Sequence, residues 1–164
     1  LQEIMAMNVQ MVVLGTGDWQ YEAAFREAQV QYPGRFAAQI TYSAPLSTAI
    51  YAGADLFLMP SVSEPCGLSQ MIAMRYGTIP VVRETGGLRD SVVPYNKFTG
   101  EGTGFSFANI NVQEMTGVLS EAVNLYHNEP KAWKALQKNA MTADFSWEKS
   151  AKAYEEIYGW VTGK

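Results

Sequence analysis

Ala54-Asp55-Leu56-Phe57-Leu58-Met59-Pro60, running on through Ser61-Val62-Ser63-Glu64-Pro65-Cys66-Gly67-Leu68-Ser69-Gln70, decides the fold class of this chain. The apolar run is continuous and ended by proline, the pattern of a strand covered on both faces in a parallel sheet. Leu68, Met71, Ile72 and Arg75 then recur at helical spacing as far as Tyr76, with Gly77 as the stop. Thr78-Ile79-Pro80-Val81-Val82 is a second buried-strand run. Strand, helix and strand in units of about 25 residues predict βαβ units, and hence parallel strands joined by helical crossovers.

The same alternation extends towards the N-terminus. Val9 to Leu14 reads as a strand stopped by Gly15-Thr16-Gly17-Asp18, with Asp18 as the N-cap of a helix of about 14 residues. That helix ends near Tyr32-Pro33-Gly34, and Arg35 to Ile40 is a weaker strand candidate. Pro45 to Ala52 reads as a short helix stopped by Gly53. Residues 1–92 are therefore expected to form a Rossmann-like α/β core, a parallel sheet flanked by helices on both faces. A Gly-rich connection, 93–110, carries a short apolar piece at Phe105 to Phe107, and residues 111–164 are wholly helical. Asn111 with Glu114 resembles a capping box, followed by an inner stripe of Val112, Met115, Leu119, Ala122 and Tyr126. Pro130 opens a helix carrying Trp133, Leu136 and Ala140. Ser146 caps the last helix, where Trp147, Ala151, Tyr154, Tyr158 and Val161 form one apolar face that must lie on something. Trp19, Trp133, Trp147 and Trp160 are expected in the core or on an interdomain surface.

At 164 residues the chain is one domain or one large piece of a longer protein. It starts at Leu1 without Met, in what reads as the end of a helix from Leu1 to Met7, which favours the second possibility. Lys and Arg number 12 against 16 Asp and Glu, a net charge of −4, which argues against nucleic acid or an anionic membrane as partner. With 48% apolar and 17% charged residues the chain can bury a core and is not disordered. A single cysteine, Cys66, and a single histidine, His127, allow neither an internal disulfide nor a Cys/His zinc site. The start lacks the features of a signal peptide, and the expectation is a cytoplasmic protein.

Two stretches invite a phosphate ligand. Gly15-Thr16-Gly17 follows a strand as a dinucleotide fingerprint would, but the third glycine position holds Gln20, so a tight strand-to-helix turn is the preferred reading. The stronger candidate is Glu64 to Ser69, which leaves the C-terminal end of the best strand and enters a helix N-terminus. Amides of Cys66, Gly67, Leu68 and Ser69 would face a diphosphate there, with the helix dipole behind them. Glu64, one turn earlier, could reach the hydroxyls of an attached sugar. The same residues also fit a Glu64 that merely caps the helix and a Gly67 that relieves crowding.

Glu64-Pro65-Cys66-Gly67-Leu68-Ser69-Gln70, Met74 to Arg83 and Thr85-Gly86-Gly87-Leu88-Arg89-Asp90 closely resemble the C-terminal domain of bacterial glycogen synthases and plant starch synthases, retaining glycosyltransferases of the GT-B fold. The resemblance spans nearly the whole chain, from Leu14 to Trp147. It implies transfer of glucose from ADP-glucose to the non-reducing end of an α-1,4-glucan with retention. It makes Glu64 the catalytic-site glutamate, and Gly67 and Leu68 the amides that hold the donor diphosphate, with Ser69 at the family's usual threonine. Tyr42 resembles the aromatic that stacks on the base, a reading preferred to that of a tyrosine merely on the sheet rim. Cys66 is the motif cysteine near the donor, contributing backbone and packing rather than a nucleophile. Thr85, Gly86 and Gly87 would border the donor sugar. Ile72 stands where many related transferases have a second glutamate.

By the same resemblance, the lysine-containing glycine motif, the active-site histidine and the basic residues that neutralise the donor phosphates belong to sequence before Leu1. The expected partners are therefore the nucleotide-sugar donor, the glucan and an N-terminal domain of the same protein, and the chain by itself is expected to be inactive. No metal or cofactor is implied, because there is no Asp-x-Asp pair and helix-end amides with basic side chains take its place. His127, at a helix end, is read as dipole compensation. Alternatives are a GT-B enzyme using UDP-glucose, a non-catalytic nucleotide-sugar-binding module and, most remotely, a dehydrogenase.

Overall fold

The structure, a computed structural model, describes residues 1–163. The chain runs α1 (Gln2–Met5), β1 (Met11–Leu14), α2 (Trp19–Gln31), β2 (Phe36–Gln39), α3 (Ala44–Gly53), β3 (Leu56–Met59), α4 (Ser69–Tyr76), β4 (Ile79–Arg83), α5 (Gly87–Ser91), β5 (Phe105–Phe107), α6 (Val112–Asn128), α7 (Pro130–Thr142) and α8 (Trp147–Thr162). All strand pairs are parallel, as the alternation predicts. They form two sheets rather than one. β1 pairs with β2 from Met11↔Phe36 to Leu14↔Gln39, and β3, β4 and β5 pair in that order. The short helix α5, beginning at Gly87, has no counterpart in the sequence reading, since five residues are too few to show a period.

Burial depends on position in the sheet. β4 lies between β3 and β5 and under α4 to α7, so Ile79, Pro80, Val81 and Val82 are fully buried. β3 is only half-buried, against the expectation from its apolar sequence, because one of its edges has no neighbouring strand. Met74, Leu88, Leu119, Trp133 and Leu136 complete the main core around β4, each buried side chain contributing about 1.5–3 kcal/mol. A smaller cluster of Met5, Ala28 and Phe36 lies under β1 and β2. Arg35 closes that end: its Nη2 donates to the carbonyls of Met5 (2.9 Å) and Met7 (2.6 Å) and its Nε to that of Val9 (3.3 Å).

Three helix readings need correction. The buried face of α4 is Gln70, Ala73 and Met74, not the Leu68, Met71, Ile72 and Arg75 stripe, and Leu68 and Ile72 are exposed. Both sets recur at helical spacing, and the position of β4 and α7 selects between them. Gly53 ends α3 from within, and the chain leaves through Ala54 in extended backbone, whereas Gly77 adopts the left-handed conformation expected of a stop (φ 82°). In α6, Leu119 and Ala122 are buried but Val112 and Tyr126 are exposed at the rim; Tyr126 meets Trp133 edge-on at 5.2 Å.

Asp18, Ser43, Asn111 and Ser146 cap α2, α3, α6 and α8 through their side chains, accepting from Gln20, Leu46, Glu114 and Lys149 amides. No residue of α8 is buried, and Trp147 and Trp160 stand 89% and 80% exposed, so the apolar face expected to lie on something meets no core within the described residues. Of the four tryptophans Trp133 alone reaches the core. No described helix is long and apolar enough to cross a membrane.

Candidate functional site

β3 and β4 run in register, Met59 beside Val82, so the loops that follow them emerge at one edge of the sheet. Arg83 binds the first loop to the end of β4, its Nε donating to the Ser61 carbonyl at 2.8 Å and its Nη2 to that of Val62. The Gly87 amide donates to the Glu64 carbonyl at 3.2 Å, which joins the two loops directly. A Cβ on Gly86 would collide with the Glu64 carbonyl, and one on Gly87 with the Cys66 carbonyl. Gly86 also has φ 45°, a conformation that L side chains rarely adopt. The structure thus brings Gly86 and Gly87 together with Glu64 and Cys66 through backbone contact, with Thr85 half-buried beside them.

The helix entered from this loop differs from the capped ones. Leu68 is the N-cap of α4 and makes no side-chain cap. Among the described residues, no acceptor pairs with the backbone amides of Cys66, Gly67, Leu68 or Ser69. The Glu64 side chain makes no hydrogen bond or ion pair there either, so the reading in which it caps the helix is excluded. Free first-turn amides with a helix dipole behind them can donate to an anion, and an unpaired carboxylate can accept from hydroxyls. By contrast, α2 has its own anions: Asp18 takes the Gln20 amide and Glu22 takes that of Gly17, at 2.9 and 3.0 Å. The Gly15-Thr16-Gly17 turn is therefore a filled turn.

Gln70, to which the sequence reading gave no role, holds the motif in shape. It is fully buried, and the two N–H groups of its Nε2 are shared among the carbonyls of Cys66 (3.2 Å) and Gly67 (2.9 Å) and Ser91 Oγ (3.0 Å). Ser91 Oγ in turn donates to the Gly87 carbonyl at 2.6 Å, so one side chain links α4, its entry loop and α5. Gly67, at φ 71°, leaves room for that side chain, which a Cβ would strike. The available signal was a polar residue in register with Ala73, Met74 and Gly77. Cys66 is exposed, its Sγ 3.7 Å from the Gly67 carbonyl. Tyr42 lies beyond the end of β2, 89% exposed, and the structure does not bring it against the Glu64 loop. His127 ends α6 with Nε2 3.4 Å from the Asn8 carbonyl, away from the site.

Residues 1–142 match the family described as glycosyl transferases group 1. The chain belongs to this family. Within it, the chain is 51% identical over 158 residues to a glycogen synthase of Lachnospira eligens, covering 96% of this chain and 33% of that protein. To a glycogen synthase of Geobacillus thermodenitrificans it is 53% identical over 156 residues, covering 95% and 32%. The chain therefore spans about a third of the length of these relatives. Among solved structures, the catalytic domain of starch synthase IV from Arabidopsis thaliana, bound to ADP and acarbose, superposes with a TM-score of 0.81 at 38% identity, over 94% of this chain and 33% of that one. A sucrose-phosphate synthase from Thermosynechococcus elongatus shares the fold (TM-score 0.68, 22% identity, 99% and 41% covered). This member of the glycosyl transferases corresponds to the C-terminal half of a GT-B fold.

Proposed function

We propose that this chain is the donor-binding half of a glycogen synthase, which transfers glucose from ADP-glucose to the non-reducing end of an α-1,4-glucan with retention. One observation carries the reading: the uncapped N-terminus of α4, with free amides at Gly67, Leu68 and Ser69, beside the unpaired Glu64 carboxylate. The names of the relatives and the ADP held by the starch synthase support it.

In this reading the amides of α4 donate to the donor diphosphate. As the bond from the anomeric carbon to the phosphate oxygen breaks, negative charge grows on that oxygen and the amides gain strength against it. Glu64 accepts from glucose hydroxyls and stabilises the positive charge developing on the anomeric carbon. The acceptor hydroxyl oxygen then bonds that carbon on the same face, its proton passes to the departing phosphate oxygen, and ADP leaves. Gln70, Arg83, Gly86 and Gly87 act as positioning residues, Thr85 borders the sugar, Cys66 packs beside the donor and Tyr42 stacks on the adenine. The reading uses neither metal nor cofactor, and it carries a cytoplasmic location and an N-terminal half as partner for catalysis.

Glu64→Gln in the full-length protein tests it, with glucan synthesis measured alongside donor binding. Synthesis is expected to fall about a hundredfold or more, with ADP-glucose still bound. Unchanged synthesis would leave a non-catalytic module. Parallel titrations with ADP-glucose, UDP-glucose and NADH identify the donor, and preference for UDP-glucose would reassign it.

A further inference from the structure

Ser91 is the last residue of α5, the short helix that the loop Thr85-Gly86-Gly87 enters directly. Its hydroxyl makes two contacts of opposite sense. It donates to the Gly87 carbonyl at 2.6 Å and accepts from Gln70 Nε2 at 3.0 Å. The one hydroxyl proton is committed to Gly87, so the bond with Gln70 runs in a single direction. Alanine at this position would offer neither contact, whereas threonine would keep a hydroxyl for both.

The two neighbours of Ser91 lead to the two halves of the candidate site. On one side, Gln70 holds the Cys66 and Gly67 carbonyls at the head of α4. These carbonyls share their peptide groups with the amides of Gly67 and Leu68, and in a trans peptide the N–H points opposite to the C=O. Drawing the carbonyls towards Gln70 therefore turns both amides away from it. On the other side, Ser91 holds the Gly87 carbonyl while the Gly87 amide donates to the Glu64 carbonyl at 3.2 Å. Gln70 keeps this arrangement although its own Oε1 is buried without a hydrogen-bond partner among the described residues. Reversing the amide would set Oε1 against the Cys66 and Gly67 carbonyls, acceptor against acceptor. A buried unpaired polar atom is rare enough to require a reason, and a leucine would fill the volume without one.

We propose that the Ser91 hydroxyl is a positioning group that couples the amides of α4 to Glu64, through one hydrogen-bond chain from Gln70 to Ser91 to Gly87 to the Glu64 carbonyl. The inference rests on the donor-binding reading above and adds to it that the phosphate side and the sugar side of the site are set together. Without the hydroxyl, Gln70 still holds the head of α4, and the amides stay aimed at the diphosphate. The Gly87 turn is what loosens, and the Glu64 backbone loosens with it. A reacting group misplaced by about 1 Å costs about a hundredfold in rate, so the effect falls on the chemical step rather than on donor binding.

Ser91→Ala in the full-length protein is expected to lower kcat by about tenfold or more while KM for ADP-glucose moves by less than about threefold. Ser91→Thr is expected to recover most of that kcat. Gln70→Leu, which releases the α4 carbonyls as well, is expected to raise KM and lower kcat together, and Ser91→Ala added to it should cost less than Ser91→Ala alone. Hydrogen exchange of segment 84–91, measured on the same proteins without donor, reads the coupling apart from the chemistry: Ser91→Ala is expected to quicken it about tenfold, and Ser91→Thr far less. Wild-type kcat and exchange in Ser91→Ala, with Glu64→Gln inactive, would overturn the coupling and leave the donor reading standing. Equal losses in Ser91→Ala and Ser91→Thr would also overturn it, as would fully multiplicative losses in the double variant. An active Glu64→Gln would instead remove the donor reading on which the proposal rests.

Discussion

Gly86 is the residue where loop geometry and site chemistry are hardest to separate. Alanine there must take an unfavourable φ and push away the Glu64 carbonyl, so Gly86→Ala is expected to cost about 1–3 kcal/mol in thermal unfolding and to weaken donor binding as Glu64 shifts. Unaltered stability and binding would show that the two loops can part without consequence. Gln70→Leu keeps the volume and removes the two N–H donors that Cys66, Gly67 and Ser91 share, leaving the buried Gly67 carbonyl without its amide partner. The expected loss is about 2 kcal/mol, measured by denaturant unfolding. The sequence showed Glu64, Gly67, Leu68 and Ser69 as a group because they are contiguous. Gln70 and Arg83 escaped it because the Ser91 hydroxyl that Gln70 meets and the Ser61 carbonyl that Arg83 meets are brought near only by the fold.

At the scale of elements, the helix N-termini divide into filled and open. Ser43→Ala removes a cap from α3 and is expected to cost about 1 kcal/mol. Leu68→Asp does the reverse at α4: the new carboxylate takes the free amides, and thermal stability rises by about 1 kcal/mol while ADP-glucose binding is lost. If both rose together, the diphosphate would have to bind away from α4. α6 adds a pH dependence. The Asn109 backbone amide, then its side chain, donate to the Glu114 carboxylate and hold its pKa below the usual carboxylate range. A lowered pKa in the folded state means that this contribution is complete above the ordinary carboxylate pKa and is lost as pH falls through the folded value. Exchange of the Asn109 amide is expected to quicken in acid beyond what Glu114→Gln shows.

Across the whole molecule, stability is concentrated around β4 and does not extend to α8. Trp133→Ala opens the main core and is expected to cost about 3–5 kcal/mol. Deleting residues 146–164 should change stability by less than about 1 kcal/mol, a shift of ~2–4 °C in Tm, because no described residue of α8 is buried. The deletion should also reduce self-association, since it removes exposed Trp147, Tyr154, Tyr158 and Trp160, and sedimentation would show it.

The sequence by itself determined the order and kind of the main elements, the parallel pairing, the caps at Asp18, Asn111 and Ser146, and the loop that carries the candidate site. These follow from local pattern: apolar runs ended by proline or glycine, helical spacing, and polar residues at fixed offsets from a helix start. Tertiary structure decided which strand is innermost, which face of α4 is buried, and that Glu64 is free rather than a cap. Each of these depends on what stands opposite a residue. β3 and β4 are equally apolar in sequence, yet only β4 has a strand on both sides, and no local pattern contains that difference.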